Sequence, residues 1–195
     1  MSTQRIVFVG VGGQGNLLAS NLLGQAALEA GQHVVVSEIH GMAQRGGVVE
    51  SAVILGEATS PIVSNGEADV LVAFEPVEAL RLLSKANQDS LVITNTRPLP
   101  PFTVAIGMAP YPEPGKSVAY LQKKVRKVVA FDGQGLAEKA LNPLSLNMVM
   151  LGALFAAAKL PIPVKTMKKV IRSQTKKRFV ESNLKAFDLG YQAAA

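Results

Sequence analysis

Arg5-Ile6-Val7-Phe8-Val9-Gly10-Val11-Gly12-Gly13-Gln14-Gly15 decides how the rest of this chain is read. A β-branched and aromatic run without turn residues flows into a glycine loop, which reads as a strand, a tight turn and the start of a helix. Leu17, Leu18, Asn21, Leu22, Gln25, Ala26 and Leu28 recur at helical spacing up to Gly31, a natural helix stop. His33-Val34-Val35-Val36-Ser37-Glu38 is the next strand, and its continuous apolar residues suit a parallel strand covered on both faces. A right-handed crossover between the two strands opens the loops that follow them on one edge of the sheet, where open α/β sheets place their sites.

Gly10, Gly12 and Gly15 match G-x-G-x-x-G, and Glu38 stands where a ribose-binding acid would end the second strand. That pattern supports a dinucleotide site in a stand-alone NAD(P)-binding oxidoreductase. It fits equally a tight strand-to-helix turn whose N–H groups form a general anion or partner socket. The residues after Glu38 separate the two readings. Ile39-His40-Gly41-Met42-Ala43-Gln44-Arg45-Gly46-Gly47 leads directly into Val48-Val49-Glu50-Ser51-Ala52-Val53-Ile54-Leu55-Gly56. A parallel continuation needs about a dozen or more residues, so this third strand runs antiparallel or lies elsewhere, and the nucleotide-binding pattern is interrupted.

Further along, strands alternate with helices. Ala68–Phe74 reads as a strand, Pro76–Asn87 as a helix and Ser90–Thr96 as a strand. Phe102–Met108 reads as a strand from its alternation, Val118–Lys127 as a helix and Val128–Phe131 as a strand. Asn142 caps a helix that opens on Pro143 and has hardly any polar face, so it is expected to be buried. Val180, Leu184, Phe187 and Tyr191 mark a last amphipathic helix. The expected architecture is α/β, a single domain over 1–195 with a Rossmann-like layered sheet. The sheet is mostly parallel with at least one antiparallel strand, and a helical part at about 142–192 packs on it.

The long loop motif, together with the glycine loop, resembles the gamma subunit or domain of the 2-oxoacid:ferredoxin oxidoreductases, most closely the beta subunits that act on indolepyruvate. Phe74-Glu75-Pro76, Asn95-Thr96-Arg97-Pro98, Asn142-Pro143, Asn147 to Ala153 and Asn183 to Phe187 extend the likeness over nearly the whole chain. The resemblance implies a non-catalytic smaller subunit of an enzyme that oxidatively decarboxylates an aryl 2-oxoacid with coenzyme A and reduces ferredoxin. Thiamine diphosphate, magnesium and iron–sulfur clusters are then expected on the large catalytic partner subunit, with ferredoxin reached through the complex. A homo-oligomer of the isolated chain and a pure interaction module without a small ligand remain open at this point.

Composition agrees with those implications. The chain has no cysteine, which excludes a thiolate-held iron–sulfur cluster within it, and 48% apolar residues give ample core. No basic and apolar leader is evident, and the longest apolar run, Met148 to Ala158, is too short for a bilayer, so a cytoplasmic address without membrane contact is expected. The net charge of +6 is local, because residues 159–178 carry eight Lys and Arg and no acid, whereas acids outnumber bases elsewhere. Val164, Met167, Val170 and Ile171 keep an apolar stripe there, so the cations form a solvated helix face or meet an acidic partner. Without aromatics to stack on bases, nucleic acid is not expected.

No nucleophile elbow, Gly-Lys-Ser/Thr phosphate loop or metal-ligand spacing occurs, and a catalytic residue is not assigned. The candidate cleft comprises Gly10, Gly12, Gly13, Gln14, Gly15, Glu38, His40, Gly41, Met42, Gln44, Arg45, Gly46 and Gly47. Glu38, His40 and Arg45 could act on a substrate. Alternatively Glu38 and Arg45 pair with each other and His40 bonds backbone. The glycines at 41, 46 and 47, with Met42, Gln44 and Arg45, suit a loop that docks against another chain.

Overall fold

The computed structural model describes residues 3–40, 47–58 and 60–195, with the side chains of His40, Phe102 and Thr103 excepted. In chain order the elements are β1 (Gln4–Val11), α1 (Asn16–Glu29), β2 (Val34–His40), β3 (Val48–Leu55), β4 (Ala68–Ala73), α2 (Pro76–Arg81) and β5 (Ala86–Asn95). Then follow α3 (Phe102–Ala105), α4 (Pro114–Gln122), β6 (Lys127–Phe131), α5 (Gly133–Lys139), α6 (Leu146–Ala157), α7 (Val164–Gln174) and α8 (Val180–Ala194). One six-stranded sheet runs in the order β2-β3-β1-β4-β5-β6. β1, β4, β5 and β6 are parallel, and β3 is antiparallel to both β1 and β2.

The sheet is mixed, as its loop lengths require, but the neighbours of β1 differ from those expected. β3 lies between β1 and β2, so β2 is an edge strand, half-buried and exposed at Glu38 and Ile39, and not a covered parallel strand. β1 and β2 still point the same way, and the loops after them share one edge.

Both faces of the sheet are covered. Ile6, Phe8, Val53, Val70, Val72 and Ile93 pack beneath α1 and α5 to α8, while Val7, Val9, Ile54, Leu71 and Val92 face the side of α2 and α4. α1 ends as its glycine predicts: Gly31 is left-handed (φ 71°), its N–H donates to Leu28 O and that of Gln32 to Ala27 O at 2.9 Å, a paired C-terminal cap. α6 is buried from Leu146 to Phe155, as its missing polar face anticipates. It crosses α8 at backbone contact: a Cβ on Gly152 would lie 1.9 Å from Phe187 O, and one on Gly190 would lie 1.9 Å from Val149 O. Only glycine on each helix permits that approach. α7 buries Met167, Val170 and Ile171 and turns its cations outward. Two of them make local pairs, Lys168 with Asp188 at 2.6 Å and Lys169 with Glu29 at 2.7 Å.

Three further sequence expectations are corrected, and one helix has no counterpart among them. The helix from Pro76 stops at Arg81, a 3-10 turn at Leu83–Lys85 follows, and β5 begins at Ala86. Phe102–Met108 is not a strand; Val104 and Ala105 N–H bond back to Pro101 O, closing a helical turn. α4 begins at Pro114, whose fixed φ suits a first helical position, and ends at Gln122. The segment after β6 is helical (α5), capped by Asp132 Oδ1 on Gly135 N–H at 2.9 Å. Among the described residues no helix is long and apolar enough to cross a membrane.

Candidate functional site

The C-terminal edge of the parallel strands gathers the glycine loop, the Phe74-Glu75-Pro76 turn, the Asn95-Thr96-Arg97-Pro98 turn and the Asp132-Gly133 turn. Each would leave strand-end N–H and C=O groups without ladder partners, and side-chain amides take them up. Gln14 folds back over its own loop: Oε1 accepts from Val11 N–H at 2.8 Å, and Nε2 donates to Phe74 O at 3.0 Å. Asn95, fully buried, donates through Nδ2 to the same Phe74 O (3.0 Å) and to Arg97 O. Its Oδ1 accepts from Arg97 N–H and from Gly133 N–H at 3.0 Å. Two amides thus bind the tips of β1, β4, β5 and β6 through one shared carbonyl.

This arrangement decides the fate of the G-x-G-x-x-G pattern. Gly10 ends inside β1, where a Cβ would meet Gln14 Oε1 at 2.9 Å and Phe74 Cβ at 3.0 Å. Gly13 (φ 108°) and Gly15 (φ 81°) make the turn into α1, but the space beside Gly15 belongs to Asn147 of α6, with Nδ2 2.8 Å from a Cβ placed there. On that side the start of α1 is packed against α6. Glu38 stands two strand spacings from β1, roughly 10 Å across the sheet, and accepts from Asn21 Nδ2 at 3.2 Å. A ribose acid needs β2 beside β1, and here β3 intervenes.

Of the second loop, Gly47 is described, and its carbonyl accepts from Gly12 N–H at 2.8 Å, so the two glycine loops meet. Gly41, Met42, Gln44, Arg45 and Gly46 lie outside the described residues, as does the side chain of His40; an Arg45 pairing with Glu38 falls there too.

Two clefts flank this junction. One, of about 420 Å³, is walled by Val11, Val48, Leu99, Pro100 and Pro101 and floored by Glu75, Glu78 and Tyr111. Glu75 is buried and its carboxylate is saturated. Oε2 takes the Val77 and Glu78 N–H groups at 2.7 and 3.1 Å, capping α2, while Oε1 takes Leu99 N–H and the Tyr111 hydroxyl. Burial, then the hydrogen bond to Glu75, raises the Tyr111 hydroxyl far above its ordinary range, so it remains a donor. Burial also raises the Glu78 carboxyl, against the opposing pull of Arg81, whose Nε lies 3.0 Å away.

The other cleft, of about 360 Å³, is lined by Gly13, Gln14, Asn95, Leu99, Leu144 and Leu146 among others. Arg97 forks beside it between Asp132, at 2.7 Å, and Glu138, at 2.5 Å. Partial burial works to raise Asp132, but the Gly135 N–H and the Arg97 guanidinium outweigh it and hold the carboxyl below the usual range.

Sequence reasoning missed Glu75, Glu78, Tyr111, Asn95 and Arg97 as edge-forming residues. A glutamate directly before proline is a helix-cap signal, whereas the arrival of Tyr111 from 36 residues away has no local signature. Glu75 and Asp132 spend their oxygens on backbone and neighbours, and among the described residues no three His, Cys, Asp or Glu side chains converge as a metal site. With no cysteine as well, these residues do not fit an iron–sulfur cluster or a magnesium-held diphosphate. The edge can hold and orient a neighbouring group through shape and backbone, but among the described residues it offers no nucleophile with an adjacent base.

Residues 5–193 match the family described as pyruvate ferredoxin/flavodoxin oxidoreductase. The chain is 43% identical over 189 residues to the indolepyruvate oxidoreductase subunit IorB of Archaeoglobus fulgidus, covering 97% of this chain and 94% of that one. It is 44% identical to its counterpart from Pyrococcus horikoshii, over 100% of this chain and 97% of that one. Among solved structures it superposes on a keto/oxoacid ferredoxin oxidoreductase gamma subunit from Geobacter sulfurreducens with a TM-score of 0.72 at 24% identity, covering 98% of both. A 2-oxoglutarate:ferredoxin oxidoreductase chain from Magnetococcus marinus contains the same fold (TM-score 0.78, 21% identity), which there accounts for 31% of the chain.

Proposed function

The chain belongs to the pyruvate ferredoxin/flavodoxin oxidoreductase family, and on that premise we propose that it is the smaller, non-catalytic subunit of a 2-oxoacid:ferredoxin oxidoreductase acting on indolepyruvate. The observation that carries this reading is the end-to-end correspondence with subunits of the same size at 43 and 44% identity. The edge chemistry agrees, because its carboxylates and amides are consumed in bracing strand tips and not held in reserve for a reaction.

In this reading thiamine diphosphate, magnesium and the iron–sulfur clusters reside on a large partner subunit, which carries out decarboxylation and electron transfer to ferredoxin. The present chain completes the enzyme. Its two clefts form a wall that helps enclose the 2-oxoacid or coenzyme A and keeps water from the reacting centre. The test is reconstitution: the large subunit is expressed with and without this chain, and indolepyruvate- and coenzyme-A-dependent reduction of ferredoxin is followed. Activity is expected only when both are present. Full turnover by the large subunit alone, or turnover by this chain alone, would refute the assignment.

A further inference from the structure

Two helices of this chain end in the same paired cap, and they fill its left-handed position differently. α1 uses Gly31 (φ 71°). α5 uses Leu141 (φ 62°), the only non-glycine residue with positive φ among those described; its N–H donates to Glu138 O at 2.9 Å, and that of Asn142 to Ala137 O at 3.2 Å. A leucine in this conformation is strained, and glycine is the ordinary occupant. Burial does not compensate, since Leu141 is 85% exposed. Three residues on, past Pro143, Leu144 is 81% exposed. In the isolated chain this segment therefore combines backbone strain with apolar surface left in water.

We propose that Leu141 and Leu144 are anchors for the large catalytic subunit, docking into an apolar recess of that chain. The inference rests on the reading given above and adds the surface to it. Leu144 and the 45%-exposed Leu99 both border the 360 Å³ cleft lined by Gln14 and Asn95, so the second anchor adjoins a recess able to receive an apolar side chain in return. Arg97, the one charged residue lining that cleft among those described, is paired with Asp132 and Glu138, which leaves shape and apolar burial as the basis of the contact there. The occupant is the remainder of the enzyme because the same fold occurs within a chain about three times longer, where it must meet other parts of that chain. Backbone strain of this kind is found preferentially at functional sites.

The experiment compares wild type, Leu141→Gly and Leu144→Ser, each co-expressed with the large subunit, by dissociation of the complex on dilution. Thermal unfolding of each 195-residue chain is measured alongside. Leu141→Gly is expected to leave the melting temperature of the chain unchanged or to raise it by ~2–4 °C, and yet to weaken the complex at least about tenfold. Leu144→Ser should weaken the complex likewise with an unchanged melting temperature. A purely structural role moves both readouts in the same direction. If wild type assembles and both variants assemble within about twofold of it, the anchors are refuted while the subunit assignment stands. If wild type itself does not associate, both fall. Self-association of the isolated chain that both variants abolish, with the complex intact, would assign the patch to a second copy and overturn the proposal.

Discussion

Asn95 is the residue on which the edge depends most directly, because one amide serves the tips of β4, β5 and the turn before α5. Asn95→Ala deprives the buried Gly133 N–H of its partner and removes one of the two donors to Phe74 O, and urea unfolding should show a loss of about 2–3 kcal/mol. A loss below ~0.5 kcal/mol would mean that the edge is not braced there. Glu78 gives a second test, in pH. Its carboxyl is raised above the ordinary 4.5, so the folded chain holds its proton more tightly than the unfolded chain does. Its contribution is therefore most favourable at acid pH and is lost as pH rises from the ordinary carboxylate range through the raised value. Glu78→Gln removes that loss: relative to wild type, the variant should be more stable at about pH 8 than at about pH 4. An unchanged difference between the two pH values would show that the carboxyl titrates normally. At this scale the sequence reveals that Gln14 carries both a donor and an acceptor. That both are consumed internally follows only from β4 lying beside β1, a nonlocal fact.

The close crossing of α6 and α8 governs the helical layer. Gly152→Ala places a methyl group within the Phe187 carbonyl, so the helices must separate along a buried contact that also holds the edge-to-face pair of Phe155 and Phe187, 5.7 Å between centroids. Thermal or urea unfolding should register a cost of about 3 kcal/mol, the upper end for overpacking; a cost under ~1 kcal/mol would contradict the geometry. α8 was legible from the spacing of its apolar residues, and α6 from a long apolar run behind Asn142 and Pro143. α5 was not, because Gly133 and Gly135 imitate a turn. A Cβ at the first would crowd Leu146 Cδ1, at 2.9 Å. The short α3 was obscured by an alternation over Phe102–Met108, a segment that takes no place in the sheet.

For the molecule as a whole, the seven residues between β2 and β3 revealed that β3 reverses direction, and nothing local revealed on which side of β1 it would lie. Its insertion between β1 and β2 gives the sheet a hierarchy. β2 has a single bonded neighbour, β3, which is itself held by β1 along eight paired positions from Gln4–Leu55 to Val11–Val48. The outer strand can detach while the rest of the sheet stays paired, but β3 cannot leave β1 without carrying β2 with it. Amide hydrogen exchange should therefore show Val34 to Ile39 opening at lower free energy than Ile6 to Val9, with β3 between them. Equal protection across the three strands would indicate one cooperative unit. During synthesis the same order has a temporal meaning. β2 leaves the ribosome before the only strand that can accept it, so its apolar face waits unpaired until Leu55 has been made. The interval is one in which a chaperone or another nascent chain competes for that edge.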